Sequence, residues 1–344
     1  MKYRLLGKTG IQLSAFGLGA MMFGRMGNPD HDECIRMIHK ALDAGINYID
    51  TADAYSRGES EEIVCKAVKG RRDSVILGTK VYHAMGDDPN QRGSSRRWIT
   101  RSVEDSLRRL GTDYLDLYQI HRPTPDTDIE ETLAVMTDLQ RAGKVRVIGT
   151  STFPAVDIAD SHWVAERRGL SRFRVEQQPY SLLNRAIERD ILPTCQRFGM
   201  GVAAWSPLAK GLLTGKYRRG QSQPDSLRAK YFPTLMSDER SFDAVEQLAA
   251  VAADAGISLT HMALAFVVSH PGITAAILGP RTMAQFDDLL AAAAVHLNDA
   301  LLDRIDAIVP PGQDIAPLEG SAYVPPSLTQ LALRRRTEQE RAVT

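Results

Sequence analysis

Four residues of the types that transfer or steer protons stand at or near the ends of apolar segments. Asp50 closes the segment YID, and Tyr55 follows it by five residues. Lys80 closes VILGTK, and His121 closes LDLYQIH. Because an unpaired buried charge is unstable, a buried Lys80 would need Asp50 as its partner. We expect the ammonium to favour the Tyr55 phenolate and to lower the phenol pKa from about 10.

This set of side chains predicts proton transfer at a carbonyl group. Tyr55 would give or take the proton, and His121 would orient or polarise the carbonyl. Taken singly, each residue also fits an ordinary role: a loop carboxylate, a packed tyrosine, a surface lysine or a structural histidine. A lyase or isomerase with Lys80 as a Schiff-base amine is an alternative, but pairing with Asp50 argues against it because a paired lysine stays protonated.

The segments around these residues repeat a helix, a glycine and an apolar strand. Strands are predicted at 15–19, 47–52, 75–79, 115–121, 145–150, 174–178, 201–205 and 274–278. Helices are predicted at 31–44, 60–69, 96–110, 129–142, 157–168, 188–198, 241–269 and 282–293. Apolar strands alternating with helices indicate a parallel sheet covered on its outer face. Eight units favour a closed (β/α)8 TIM barrel over an open doubly wound sheet, and the four side chains would meet at its C-terminal face.

The remaining segments predict how the chain is divided. YRLLGKTGIQLSAF is expected to form an N-terminal β-hairpin turned at GKTG. A single barrel domain is predicted over 1–329 and a polar, flexible tail over 330–344. Two long loops, 81–95 and 209–240, follow strands on the side where barrel enzymes have their sites. GLGAMMFG is not a dinucleotide fingerprint, since Met22 stands where the third glycine is required.

Composition excludes several classes of function. The 344 residues are 43% hydrophobic and 24% charged, as in soluble globular proteins. Lys+Arg and Asp+Glu both total 42, so no net field favours nucleic acid or a membrane surface. Three widely spaced cysteines (Cys34, Cys65 and Cys195) suit a reducing compartment and no metal site. Without a signal-like N-terminus or an 18-residue apolar run, we expect a cytoplasmic protein.

Over residues 1–293 the sequence resembles the aldo-keto reductases. That family has an Asp, a Tyr five residues on, a Lys ending the third strand and a His ending the fourth, and all four positions are filled here. SPLAKGLLTGKY and LGKTGIQLSAFGLGAMMFG look most like bacterial general reductases and the related β subunits of voltage-gated potassium channels. The resemblance implies that NADPH reduces an aldehyde or ketone to an alcohol while Tyr55 protonates the oxygen. A redox-sensing NADP(H)-binding subunit with slow turnover is the alternative.

The resemblance also implies where the cofactor binds. Ser151 and Gln177 would hold the carboxamide, and Tyr180 would stack under the nicotinamide ring. The segment after Trp205 would close over the pyrophosphate. Arg281 suits a 2′-phosphate, which implies NADPH over NADH. The full implied set is Gly19, Ala20, Met21, Asp50, Ser151, Thr152, Gln177, Tyr180, Trp205, Ser206, Pro207, Leu208, Lys210, Gly211, Lys216, Gly279, Arg281, Gln285 and Asp288.

Overall fold

Eight parallel strands form a closed barrel in the computed structural model, which describes residues 1–217, 238–316 and 330. A two-stranded antiparallel hairpin of β1 (Tyr3–Leu5) and β2 (Gln12–Ser14) precedes it. The barrel strands are β3 (Phe16–Gly19), β4 (Tyr48–Asp50), β5 (Ile76–Val81), β6 (Leu115–Ile120), β7 (Val145–Ser151), β8 (Val175–Pro179), β9 (Gly201–Trp205) and β10 (Ala275–Leu278). They pair in chain order, and β10 closes the ring against β3. The predicted (β/α)8 barrel with an N-terminal hairpin is confirmed.

The register of the strands brings the candidate catalytic residues to one end of the barrel. Asp50 pairs with Gly78 across β4 and β5, and Lys80 pairs with Gln119 across β5 and β6. His121 follows β6 directly. Because the strands are parallel, these residues lie together at the C-terminal face, as the sequence predicts.

The hairpin closes the opposite end of the barrel. Leu6 and Leu13 pack against Tyr48 and Leu117, which point into the barrel interior. The backbone N–H of Lys8 donates to the carbonyl of Gly199, just before β9 begins. Apolar side chains therefore close the N-terminal end of the barrel, and the C-terminal face remains open for a site.

Ten helices cover the barrel in the described part of the chain. They are α1 (His31–Asp43), α2 (Glu59–Val68), α3 (Arg96–Leu110), α4 (Ile129–Arg141), α5 (Ala155–Arg168), α6 (Ile191–Phe198), α7 (Glu239–Asp254), α8 (Leu259–Ser269), α9 (Met283–Ala291) and α10 (Asp299–Ile308). Side-chain caps define the starts of all of these helices except α2 and α5; Ser95, for example, accepts a hydrogen bond from the N–H of Trp98. Gly111 and Gly199 end α3 and α6 in the left-handed conformation expected from their positions.

Two helix predictions were wrong or incomplete. The predicted helix 241–269 is two helices, α7 and α8, whose axes differ by 94°. Gly256 adopts φ +68 between them, and Ser258 caps α8 by accepting from the N–H of His261. The apolar pattern continues through the break, so periodicity alone did not reveal it. Helix α10, which buries Leu301 and Ile305, was not predicted.

Several predicted features lie wholly or partly outside the described residues. These are positions 218–237 of the 209–240 loop, positions 317–329 of the predicted domain and positions 331–344 of the predicted tail. Across the described ranges, no single helix is long and apolar enough to cross a membrane. The α7–α8 pair passes that test only when its two sharply bent helices are taken together.

Candidate active site

A buried ion pair lies at the centre of the C-terminal face. The Lys80 ammonium is 2.6 Å from Asp50 Oδ2 and also donates to the carbonyl of Thr51 at 2.8 Å. Lys80 is fully buried and Asp50 is 3% exposed. Burial alone would lower the pKa of Lys80, but Asp50 and Tyr55 outweigh it and hold the pKa above its ordinary value. Lys80 therefore stays charged, which disfavours the Schiff-base alternative.

The second carboxylate oxygen of Asp50 is held by two polar side chains from inside the barrel. Tyr48 OH donates to Asp50 Oδ1 at 2.9 Å, and Gln177 Nε2 donates to the same oxygen at 2.7 Å. Gln177 Nε2 also lies 3.3 Å from Gln119 Oε1. These hydrogen bonds hold the carboxylate in place and satisfy Oδ1, the oxygen that Lys80 does not contact.

Tyr55 lies over the ion pair and faces His121. Its ring centroid is 5.2 Å from Lys80 Nζ and 5.7 Å from the His121 ring, which it meets edge-on at 78°. Desolvation raises the pKa of the Tyr55 phenol above 10, although Lys80 opposes that rise. The expected lowering of the Tyr55 pKa was therefore wrong, because burial removes more stabilisation from the phenolate than the ammonium restores. The phenol is protonated at neutral pH and is able to donate a proton.

His121 is a neutral imidazole. It is 6% exposed, and burial holds its pKa well below the ordinary value, with Lys80 acting in the same direction. Its Nδ1 has no hydrogen-bond partner among the described residues. His83 packs edge-on against it at 4.7 Å, and burial likewise lowers the pKa of His83 to about 4. An uncharged imidazole thus borders Tyr55, a second one packs against the first, and each is able to donate one hydrogen bond.

One cavity of about 660 Å³ contains most of the residues predicted from the sequence. It extends from the tetrad to the start of α9, so both ends of a dinucleotide would meet predicted residues. The predicted residues that line it are Gly19, Met21, Asp50, Tyr55, His121, Ser151, Gln177, Trp205, Ser206, Pro207, Leu208, Lys210, Gly211, Lys216, Gly279, Arg281, Gln285 and Asp288. Lys80 lies beneath this surface, against Asp50 and the Tyr55 ring.

Three predicted cofactor residues are not among the described residues that line the cavity. The Tyr180 ring packs against Phe266, and its hydroxyl donates to Glu188 at 2.6 Å. Tyr180 comes three positions after Gln177, and an odd spacing along an extended chain turns side chains to opposite faces. Ala20 is fully buried next to Gly19. Thr152 is turned toward Arg122 and donates to the carbonyl of Ser151.

The segment after β9 folds back over the cavity through backbone conformations that are rare outside glycine. Ser206, Ala209 and Lys210 all have φ between 47° and 56°. Ser206 Oγ accepts from the N–H of Lys210 at 3.1 Å, and Gly211 follows at φ 106. Consecutive residues of this kind turn backbone N–H groups toward one side, an arrangement suited to phosphate oxygens.

The far end of the cavity is formed by the start of α9. The N–H of Arg281 donates to Gln285 Oε1 at 2.9 Å, and the N–H of Met283 donates to Glu33 Oε1 at 2.8 Å. His261 Nε2 lies 2.9 Å from Asp288 Oδ1. Glu33 therefore engages one of the first N–H groups of this helix, and Arg281 lines the cavity beside it.

Some cavity residues were not predicted as site residues. Arg122 follows His121 and lines the cavity, but no motif in the sequence marked it. Met22, Thr214, Thr260 and Leu264 also line the wall. Among the residues described, no group of three or more His, Cys, Asp and Glu side chains is arranged to hold a metal ion.

Comparison with known proteins gives a consistent result. The model of the aldo/keto reductase family matches residues 15–310. The aldo-keto reductase YhdN of Bacillus subtilis is 38% identical over 317 residues, 90% of this chain and 94% of YhdN. The uncharacterized oxidoreductase YrpG of the same organism is 37% identical, covering 90% and 96%. A probable voltage-gated potassium channel subunit beta of Oryza sativa subsp. japonica is 34% identical, covering 90% and 97%.

Proposed function

The chain belongs to the aldo/keto reductase family, and we propose that it is an NADPH-dependent reductase of aldehydes or ketones. The observation that carries the proposal is the convergence of Tyr55, His121 and the Asp50–Lys80 pair on a cavity that extends to Arg281. A carbonyl group in this cavity would lie near a protonated phenol and a neutral imidazole. Both groups are suited to stabilise a developing alkoxide.

The proposed roles follow from the charge state of each side chain. Tyr55 donates its proton to the carbonyl oxygen, since its raised pKa keeps it protonated at neutral pH. The Lys80 ammonium, 5.2 Å from the Tyr55 ring, stabilises the phenolate that remains. Asp50 keeps Lys80 charged and in position. His121, as a neutral imidazole, donates a hydrogen bond to the same carbonyl oxygen and so orients the substrate.

The residues along the cavity fit the proposed cofactor. Ser151 and Gln177 offer hydroxyl and amide groups near the tetrad. Trp205 lines the cavity and offers an aromatic face to the nicotinamide ring, the role that the sequence predicts for Tyr180. Lys210 and the turn that contains it suit the pyrophosphate, and Arg281 suits a 2′-phosphate. When bound, the cofactor supplies the hydride that the carbonyl carbon accepts.

Loss of NADPH absorbance in the presence of 4-nitrobenzaldehyde tests the proposal. Wild type should turn over, and Tyr55→Phe should lose most of its kcat, by roughly 100-fold or more, because the proton donor is removed. Tyr114→Phe is the matched control, since this exposed hydroxyl is remote from the cavity and contacts Asp73. The assignment would be refuted if Tyr55→Phe kept full turnover, or if wild type turned over none of the carbonyl compounds tested.

A second candidate is an NADP(H)-binding subunit that reads redox state and turns over slowly. The similarity to proteins named as channel β subunits favours it. It predicts that cofactor copurifies with the protein and that a burst of hydride transfer precedes slow release. A reductase should instead show steady-state turnover with no initial burst, because cofactor release does not limit its rate.

A further inference from the structure

The backbone directly after Tyr55 has an unusual conformation. Ser56 has φ 49 and ψ 28, and Arg57 has φ 56 and ψ 46, so two residues other than glycine are left-handed in succession. Gly58 follows at φ 94. Conformations of this kind persist only where the surrounding structure enforces them. The position of the Tyr55 phenol therefore depends on the contacts that hold Ser56.

The segment after β3 holds every polar group of Ser56. The Ser56 hydroxyl donates to the carbonyl of Phe23 at 3.0 Å and accepts from the N–H of Met26 at 3.2 Å. The Ser56 carbonyl accepts from Nε and Nη2 of Arg25, at 3.0 and 2.6 Å. The Ser56 N–H donates to Met26 Sδ at 3.1 Å. One of the contacts beside Tyr55 therefore depends on the chemical state of a thioether sulfur.

Met26 is open to solvent although Ser56 is buried. Met26 is 45% exposed and Met1 is 39% exposed. The other methionines in the described part of the chain are half-buried or buried. Met21 and Met22 are among the described residues that line the cavity, and Met26 is not. A cofactor in the cavity would therefore leave Met26 accessible to an oxidant in solution.

We propose that Met26 is a site of reversible oxidation by peroxides, and that its sulfoxide displaces the Tyr55 loop and lowers turnover. This proposal rests on the proposed reductase function and adds a regulation to it. The Met26 sulfur attacks one oxygen of hydrogen peroxide, so that an S–O bond forms while the O–O bond breaks. The proton of the transferred oxygen passes to the leaving hydroxide, which departs as water. The sulfur is oxidised by two electrons and the peroxide is reduced.

The added oxygen is incompatible with the present contact between Met26 and Ser56. At 3.1 Å the sulfur touches the Ser56 nitrogen, and no space remains between them for another atom. The N–H of Met26 is bonded to the Ser56 hydroxyl, which restricts how far the side chain is able to withdraw. The displacement therefore falls on the left-handed segment. Tyr55 precedes Ser56 directly and moves with it, away from the position that proton transfer requires.

Treatment of the protein with hydrogen peroxide tests the proposal. Catalase then removes the peroxide, NADPH consumption is followed with 4-nitrobenzaldehyde, and peptide mass spectrometry measures the sulfoxide at Met26. The kcat should fall roughly 10-fold to 100-fold in proportion to the fraction of Met26 oxidised, the effect of a misplaced catalytic group. Two methionine sulfoxide reductases, one for each epimer, should restore it with a dithiol as reductant. In that step the oxygen leaves as water and the dithiol becomes a disulfide.

Matched variants separate Met26 from the other oxidisable side chains, each compared with its own untreated rate. Met26→Leu keeps the side-chain volume but has no sulfur, and should retain its rate after peroxide. Met85→Leu makes the same change at a half-buried methionine, and Cys65→Ser removes a half-buried thiol. Both should lose activity as wild type does. Hydrogen exchange of residues 51–60 should accelerate in oxidised wild type and stay unchanged in peroxide-treated Met26→Leu.

The outcomes distinguish this proposal from the function on which it rests. The oxidation site is wrong if Met26 stays unoxidised while Met1 is oxidised, or if protein carrying the Met26 sulfoxide keeps its kcat. It is also wrong if Met26→Leu loses as much activity as wild type. The reductase assignment would survive each of those results, because the untreated protein still consumes NADPH. If the untreated protein reduces no carbonyl compound, the reductase assignment fails, and hydrogen exchange still reports whether the Met26 sulfoxide moves the loop.

Discussion

The ammonium of Lys80 lies 2.6 Å from Asp50 Oδ2, and the two side chains are almost completely removed from solvent. This pair links β4 to β5, and the Tyr55 ring lies above the Lys80 ammonium. Removing one partner of such a buried pair destabilises the fold more than removing both, because the single remaining charge has no counterion. The same relationship therefore governs both the stability and the chemistry of the site.

Removal of one member of the pair should destabilise the fold. Asp50→Asn leaves the Lys80 ammonium buried without its carboxylate, and we expect the free energy of unfolding to fall by about 3–5 kcal/mol. Urea unfolding measures this change. The double variant Asp50→Asn/Lys80→Met should be more stable than the sum of the two single losses predicts. Strictly additive losses would mean that the two groups do not interact.

The pH dependence of carbonyl reduction should follow the Tyr55 phenol. Its pKa is raised above 10, mainly by desolvation. Reduction needs the protonated form, so kcat/KM should be retained through neutral and mildly alkaline pH and decline only as the pH rises through that raised pKa. Lys80→Met removes an opposing cation and should move the decline to still higher pH while lowering the rate. A decline centred below about pH 9 would contradict the assignment of Tyr55 as the acid.

Glu176 should make the protein less stable as the pH rises. It is fully buried, and desolvation raises its pKa to about 8, although Thr150, the N–H of Phe153 and Gln178 all contact its oxygens. The folded state keeps this proton while the unfolded chain releases it near its ordinary pKa of 4.5. The contribution of Glu176 to the free energy of unfolding is therefore fully present below about pH 4.5 and is lost progressively as the pH rises to about 8.

Glu176→Gln isolates that contribution, because the amide has the shape and hydrogen-bonding capacity of the protonated acid. Unfolding by urea at a series of pH values should show a flatter profile for the variant. At pH 8 to 9 the variant should be more stable than wild type by about 1–3 kcal/mol. Parallel profiles for the two proteins would show that Glu176 is ionised in the folded state.

Arg281 should determine the preference between the two nicotinamide cofactors. Glu33 already accepts a hydrogen bond from the N–H of Met283, so the start of α9 has one fewer donor for a phosphate. Arg281→Ala should raise KM for NADPH roughly 10-fold to 100-fold and should affect NADH much less. Arg281→Lys should fall between. Equal losses with both cofactors would indicate that Arg281 supports the helix rather than the phosphate.

Local spacing and strand order predicted the barrel and the convergence of the tetrad. Asp50, Lys80 and His121 each end a strand, and parallel strands bring such ends together whatever the details of packing. The contacts of Tyr48 and Gln177 with Asp50 were not predictable. Gln177 lies 127 positions from Asp50 in the sequence, and the contact of Tyr48, two positions before Asp50, depends on how both side chains point into the barrel. Sequence spacing contains no measure of distance across a barrel.

The other differences have similar physical causes. The pKa of Tyr55 depends on desolvation, which a sequence does not reveal, so the visible lysine suggested the wrong direction. Tyr180 was predicted by its place in a motif, whereas side-chain alternation after β8 turns it away from the cavity. Arg122 gave no signal because an arginine after a strand is ordinary, and only the structure places it beside Trp205.

Transfer of deuterium from 4-deuterated NADPH to an aldehyde tests the central claim most directly. The alcohol product is analysed by mass spectrometry after reaction with NADPH labelled on one face or the other of the nicotinamide ring. A reductase with Tyr55 as the acid predicts one deuterium on the alcohol carbon from one labelled face only, and none with Tyr55→Phe over the same time. An unlabelled alcohol, or a borohydride-trapped adduct on Lys80, would contradict it.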